Sequence, residues 1–464
     1  MKNAPVEKCD VLLTYEIRNR EIENLCLIRR ELERRGYKVL MRMQYGTFFE
    51  TETPVEAKVV VVPAYYRERA KFYSSSHTVK TDKIVNMLWE QVFNSTNEDD
   101  PDYLASIKPW GRSAVHLAWG EQMHNRLVDQ WGVKERNVPV TGHVTLDYLR
   151  KPLSNFFLGR DELFEKYRIP KDKRVHLFIS SLVFVGLDKR VFKNASTEKN
   201  KELMPLYAEL SVKTRNGLVD WFERVLSESE DIIIYRPHPE ELNCAELLDL
   251  AKRQNRFLVI GQESVKQWIL ACDRIYTWMS TSIAEVYAAG KGCSILRPVS
   301  IPYELDIKFY NSAQHICTYE EFRDEFLSNG IQTFPVSDEE ISKYYKVNRD
   351  RFTFEMIADV IEQTLNDDTL SLDEPLENPF VKGGCFNKER MANFIKRCLA
   401  ASKLMEKIHN GNFMHGTKFR ENLDNVYYVK NKLKNNYVPE EQIKEIISRI
   451  DSALSSYETG KPGQ

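Results

Sequence analysis

Two short stretches bring together side chains that suit the handling of a phosphate. In Asp231-Ile-Ile-Ile-Tyr-Arg236-Pro237-His238-Pro239-Glu240 an apolar run delivers an Arg and a His to its end, and the flanking prolines stop further strand pairing and stiffen the turn that displays the imidazole. Arg offers a planar donor fork and His a donor able to carry charge; hydrogen bonds to charged groups are worth about 1.5–3 kcal/mol each. With 9 His and 18 Pro in 464 residues a His-Pro pair is a common accident. The signal is its place after a strand. In Asp273 to Lys291 a second apolar run meets Ser280-Thr281-Ser282 and then a helical pattern containing Glu285 and closed by Gly290. One hydroxyl suffices to cap a helix, so three suggest an anion site in addition.

A third stretch, Tyr15-Glu16-Ile-Arg-Asn-Arg20-Glu21, carries acidic groups directly after the first apolar run. Glu16 has the type and place of a general base for a hydroxyl. Acidic residues also suit the first turn of any helix, which is the plainer account of Glu21 and Glu23. Glu90, after the run at 84–88, is a further candidate for the acceptor side. Asp100-Pro101-Asp102 matches the Asp-x-Asp pattern that holds a metal and diphosphate in some sugar transferases, but it sits in a polar run and reads as solvated loop. No glycine-rich nucleotide loop and no Cys-x-x-Cys pair is present, so no metal and no cofactor is expected.

The elements that must position these residues alternate. Residues 10–15 read as a strand, and 21–35 as a helix with Ile22, Leu25, Ile28 and Leu32 on one face and Gly36 as its stop; 37–43 is the next strand. Further strands are expected at 58–63, 84–88, 115–119 and 138–141, and a helix at 121–131. After a Pro- and charge-containing connection at 148–173, strands are expected at 176–180, 231–235, 257–260, 274–278 and 293–297, with helices at 201–228, 244–254, 263–271 and 282–289. Beyond 338 the pattern is helical: 340–348, 353–366, 387–408 and 439–457. The expected class is therefore α/β: two Rossmann-like parallel-sheet domains, 1–150 and 173–375, facing a crevice, with a helical appendage at 376–464.

Composition bounds the function. Hydrophobic residues at 42% and charged residues at 29% are ordinary for a globular chain, and 66 basic against 68 acidic residues give a net charge of −2, which does not indicate a nucleic-acid partner. The eight cysteines follow no disulfide or zinc spacing, and the N-terminus lacks the apolar core of a signal peptide, so a cytoplasmic location is expected. The basic and apolar helix at 387–408 is the segment that would make a peripheral contact with the inner membrane; the commoner use of such a helix is packing on its own protein.

With these residues in view, the chain resembles bacterial surface-carbohydrate biosynthesis proteins of the GT-B glycosyltransferase fold, related in plan to bacterial sialyltransferases, Kdo transferases and CDP-glycerol glycerophosphotransferases. The likeness lies in Tyr15 to Glu21 with Leu32 to Gly36, Trp119-Gly-Glu through Val140-Thr141-Gly142-His143 to Asp147, Tyr235 to Glu240, and Ser280-Thr281-Ser282 with Glu285. It spans roughly residues 10–300. The resemblance implies a glycosyltransferase of polysaccharide or capsule assembly whose partners are a nucleotide-sugar donor, CMP-linked, and a glycan or lipid-linked glycan acceptor. Arg236, His238, Ser280, Thr281, Ser282 and Glu285 would bind the donor, and Glu16 and His238 would be the catalytic pair, with Glu21, Glu90 and His143 on the acceptor side. The acidic-acidic-Gly motif of the sialyltransferase-like groups is absent here, and Thr141-Gly142-His143 stands where relatives carry Thr-Gly-Asn. A CDP-polyol phosphotransferase of teichoic-acid type, a nucleotide-sugar 2-epimerase and a non-catalytic glycan-binding scaffold fit the same residues.

Overall fold

The structure is a computed structural model that describes residues 6–44, 53–66, 79–101, 103, 107–185, 198–241, 244–376, 427, 431 and 433–458. It forms two compact units, each interrupted in sequence: Met1–Gln91, Asp102–Val144 and Asn348–Asp451 make the first, and Val92–Pro101, Thr145–Val347 and Ser452–Gln464 the second.

The first unit holds strands β1 (Glu7–Tyr15), β2 (Val39–Met43), β3 (Val55–Val62), β4 (Val79–Lys80), β5 (Ile84–Asn86) and β6 (Val115–His116), all in parallel pairs in the order β2-β1-β3-β5-β6. β4 extends the line of β5 along β3, in a common register. The chain leaves β1 toward β2 on one side and resumes on the other with β3, so the order reverses between β1 and β3. Helices cover a parallel sheet on both faces, and β1 accordingly reads as an apolar run from Val11 to Tyr15 broken only by Thr14, whose hydroxyl donates to the Val61 carbonyl, with all five residues buried.

Helix Arg18–Arg34 packs on β1 through the expected stripe: Ile22, Leu25, Ile28 and Leu32 are all at or below 2% exposure. Burial of each such side chain contributes roughly 1.5–3 kcal/mol. Gly36 stops the helix at φ 92°, and Tyr37 N–H returns to the Leu32 carbonyl.

Two sequence expectations change here. Helix Thr353–Asn366, expected in the second domain, belongs to the first unit, where Glu362 receives hydrogen bonds from Arg35 (2.8 Å) and Tyr37 (2.7 Å). The C-terminal helix Glu440–Glu458 is joined to the same unit as far as Asp451 rather than appended: Arg29 binds Glu440 through two nitrogens, and Arg30 binds Asp451. Local periodicity identifies both helices but cannot say which sheet a returning chain will cover. The expected helix at 387–408 lies outside the described residues, and no described helix is long and apolar enough to cross a membrane. The expected strand at 138–141 is reduced to one bridge, Ala118 to Val140, and the helix at 121–131 starts as α over Glu121–Asn125 and widens to a π turn over Arg126–Gln130.

The second unit holds β7 (Val175–Ile179), β8 (Ile232–Arg236), β9 (Phe257–Val259), β10 (Arg274–Thr277), β11 (Ser294–Leu296) and β12 (His315–Ile316), again all parallel, in the order β12-β11-β10-β7-β8-β9. Counted from β7 this is the 3-2-1-4-5-6 order of a doubly wound nucleotide-binding sheet, whose switch point falls between β7 and β10. One face is filled by an aromatic cluster of Phe178, Phe222, Tyr235, Phe257 and Phe322. Phe322 comes from helix Tyr319–Leu327, which the hydrophobic pattern did not reveal, although Thr318 and Glu321 form the capping box that announces it. The connection expected at 148–173 contains a further helix, Arg160–Tyr167.

Candidate functional site

β8 ends at Arg236, and the chain turns at once. His238 O accepts from Glu241 N–H at 2.9 Å, which closes a tight turn with Pro239 second in it, the position where proline's fixed φ fits best. Glu240 N–H donates to His238 Nδ1 at 3.2 Å, so in the neutral imidazole the proton sits on Nε2. Partial burial holds the His238 pKa below its usual value, against the pull of Glu240 and Glu241. At neutral pH His238 therefore presents an uncharged Nε2–H donor at the carboxyl end of β8.

Glu241 anchors this turn. It accepts from Tyr235 Oη (2.5 Å), Ser180 Oγ (2.6 Å) and the His238 N–H (3.1 Å), which ties the ends of β7 and β8 together. Tyr235 and Ser180 are buried, at 1% and 2% exposure.

β10 ends in the hydroxyl run. Ser280 is buried, Thr281 exposed and Ser282 half-buried. Ser282 stands at the N-cap of the following helix with no side-chain cap bond; Ser280 Oγ accepts from its N–H at 3.2 Å, while Tyr310 Oη donates to the Ser280 carbonyl at 2.7 Å. Neither the Thr281 nor the Ser282 hydroxyl caps the helix; the Ser282 hydroxyl bonds the Glu285 carboxyl instead. The helix, Ile283–Ala288, has only 6 residues, so its dipole is short and the side-chain donors matter more than the sequence pattern suggests.

β8 and β10 flank β7, so their turns stand two strand spacings apart, roughly 10 Å. Charge joins them. The Glu285 carboxyl is raised by burial and lowered again by Lys266, by a hydrogen bond with Ser282 and by Arg236. Lys266 is buried, bonded to Thr145 Oγ1 at 3.3 Å with its ammonium 5.2 Å from the Tyr148 ring centre. Arg236 takes a different place from the one its sequence position suggests. Its Nη1 and Nη2 donate to the Gln262 and Glu263 carbonyls, at 2.8 and 2.5 Å, and burial lowers its pKa to about 10. It braces the loop after β9 and supplies positive field more than a free fork.

At the carboxyl ends of the first sheet the arrangement is acidic and self-paired. Glu21 has no exposed surface; it accepts from Arg20 Nε (3.0 Å) and Nη2 (2.7 Å) and from the Glu16 N–H (2.7 Å). Burial raises its pKa and Arg20 opposes the rise. A carboxylate so enclosed cannot meet an acceptor; it fixes the Glu16 turn. Arg20 Nη1 also reaches Glu90 at 2.9 Å, so the turns after β1 and β5 are joined. Glu16 itself is half-buried. His143 follows Gly142 (φ 88°) and lies against Trp119, with ring centres 4.0 Å apart, and Trp89, at 6.0 Å. Asp100 is half-buried, and Asp102 lies outside the described residues.

Sequence reasoning missed Glu241, Lys266 and the buried pair Arg297–Asp306 at the end of β11 (2.8 Å). Glu241 looked like one of two acids after a proline. Lys266 follows Ser264, whose side chain caps helix Val265–Ala271, and it read as a surface residue of that helix's first turn. A Lys and an Arg each following an apolar strand or loop were the available signals.

The chain matches no protein-family model and no curated protein sequence. Among solved structures it is similar to the S. aureus MnaA in its UDP co-structure, at 14% identity over 78% of this chain and 97% of that one, with a TM-score of 0.46. It is also similar to the wall teichoic acid polymerase TagF, at 12% identity over 77% and 88% and a TM-score of 0.45. A third similar structure is the UDP-GlcNAc 2-epimerase from Methanocaldococcus jannaschii, at 11% identity over 77% and 100% and a TM-score of 0.44.

Proposed function

We propose that this protein is a sugar-nucleotide transferase of bacterial surface polysaccharide assembly, with a CMP-linked donor held by the second unit. The observation that supports the reading is that, in a 3-2-1-4-5-6 parallel sheet, the turns after β8 and β10 on either side of β7 carry an imidazole Nε2–H and the Thr281 and Ser282 hydroxyls, with Lys266 and Arg236 acting on the charge of Glu285. Ligands of open parallel sheets bind outside the strands' carboxyl ends at that point. His238 Nε2–H and the Thr281 and Ser282 hydroxyls would donate to donor phosphate oxygens as negative charge builds on the departing nucleotide. Lys266 and Arg236 supply positive field. Glu285, at the end of the hydroxyl turn, is suited to accept from sugar hydroxyls of the nucleotide.

On the acceptor side the reading gives Glu16 the role of base for the acceptor hydroxyl, with Glu90 and His143 contacting the acceptor. Glu21, enclosed with Arg20, keeps the Glu16 backbone in place.

The test is nucleotide release from CMP-Kdo, CMP-sialic acid, CDP-glycerol and UDP-GlcNAc, each with and without a surface-glycan acceptor. CMP release from a CMP-sugar that increases with acceptor is the expected result. Release from CDP-glycerol alone would replace the glycosyl reading with polyol-phosphate transfer, and interconversion of UDP-GlcNAc without acceptor would replace it with epimerisation.

A further inference from the structure

Glu241 does more than end a turn. Its carboxylate receives one hydrogen bond from each of three groups: the Tyr235 hydroxyl below it, the Ser180 hydroxyl from the neighbouring strand end, and the backbone N–H of His238. Tyr235 Oη is also 2.8 Å from Ser180 Oγ, and Leu182 N–H donates to the same Ser180 oxygen at 3.3 Å. Hydroxyls free to rotate are thereby given a fixed direction, toward one carboxyl group that gathers three donors.

The prolines make this anchor necessary. Pro237 and Pro239 have no N–H, so His238 is the only residue of the Pro-His-Pro run that can tie the turn's backbone through a donor, and that donor goes to Glu241. The same residue's N–H returns to the His238 carbonyl, so Glu241 holds His238 at both its backbone N–H and its backbone C=O. The imidazole's remaining nitrogen, Nδ1, is held by Glu240 N–H, which leaves the ring little freedom once the backbone is fixed.

We infer that Glu241 is a positioning residue for His238: it acts by locking the Pro-His-Pro turn to the ends of β7 and β8, so that Nε2 is aimed before any phosphate arrives. This deepens the proposed function, since its consequence for binding presupposes that His238 meets a phosphate. An imidazole that must be ordered on binding loses part of its interaction energy to that ordering, and a preorganised one does not.

Two readouts test it on the full-length chain. The first is hydrogen–deuterium exchange of the peptide 236–241, whose only exchangeable amides belong to Arg236, His238, Glu240 and Glu241. In Glu241→Ala its exchange should quicken at least tenfold while β7 and the body of β8 keep their protection; unchanged exchange would overturn the inference. The second is a double-mutant cycle read by calorimetric titration with CMP and CDP. Glu241→Ala alone should weaken binding about tenfold, and added to His238→Ala it should weaken it less than about twofold further. Full additivity of the two changes contradicts action through His238. Should Glu241→Ala fail to fold, Glu241→Gln, which keeps the shape but only one acceptor oxygen, goes through the same cycle with a smaller expected effect of the same sign. If His238→Ala leaves nucleotide binding intact while the turn still loosens in Glu241→Ala, the proposed function fails and the positioning role stands.

Discussion

The carboxyl edges of the two sheets are built on one plan and pair their polar groups in different ways. On the first, Glu21, Arg20 and Glu90 consume one another's hydrogen-bonding capacity, and the central carboxylate is sealed from solvent. On the second, Glu241 and Ser280 are the braces, and the His238 Nε2–H and the Thr281 hydroxyl are not spent on that bracing, while the Ser282 hydroxyl bonds the Glu285 carboxyl. The contrast shows how a parallel sheet prepares a site: one set of polar residues is spent on holding turns, and only the remainder is available for chemistry. Buried charges belong to the first set, since an unpaired buried charge is too unfavourable to keep for a ligand alone.

That division can be broken by experiment. The largest effect is expected from Arg20→Met, which leaves the Glu21 carboxylate buried without its partner and should lower the unfolding free energy by about 3–5 kcal/mol in denaturant titration. The same change at Arg236 abandons only two carbonyls and should cost about 1–3 kcal/mol. Equal losses would erase the contrast between the edges. Next, His238→Ala should reduce donor cleavage about 100-fold, with the unfolding midpoint nearly unchanged, because the side chain is on the available side of the division.

Acid sharpens the comparison differently. His116 is fully buried under the first edge, with Nε2–H given to the Gly111 carbonyl and Nδ1 facing the Asn86 amide, and desolvation lowers its pKa to about 4. A depressed histidine binds its proton in the unfolded chain first, so its contribution is intact above pH 6.5 and is lost as pH falls from there toward 4. By pH 5 the loss should approach about 2 kcal/mol, and His116→Asn should flatten that part of the stability profile. The profile of the variant should run parallel to the wild type only if another group is responsible. The smallest effect concerns the C-terminal segment. Ile17 offers helix Arg18–Arg34 no side-chain cap; Asn436 Oδ1 takes the Arg18 N–H instead, at 3.0 Å, and Tyr15 Oη takes the Val438 N–H. Asn436→Ala should lower stability by about 1 kcal/mol, measured by thermal unfolding.

Much of this was legible in the sequence. Alternating apolar runs and helical stripes place the long strands and most of the helices that cover them, helices Arg160–Tyr167 and Tyr319–Leu327 excepted, and Gly36 marks a helix end because only a residue tolerant of φ 92° fits there. The Pro-His-Pro and Ser-Thr-Ser runs stand out because they follow strands. The rest depended on tertiary partners. Nothing local distinguishes Glu241 from Glu240, yet one receives three donors and the other is exposed; nothing near Arg236 announces that two carbonyls from the loop after β9 will occupy it. Helix Thr353–Asn366 carries a clear stripe but goes back to the first sheet, a choice made by Arg35 and Tyr37 more than 300 residues earlier.

The most direct test of the central claim, that the turns after β8 and β10 grip a nucleotide's phosphate, is calorimetric titration of the wild-type chain and of His238→Ala with CMP and CDP. The account predicts saturable one-site binding by wild type, weakened at least tenfold by His238→Ala. Binding of equal strength in both proteins would contradict it.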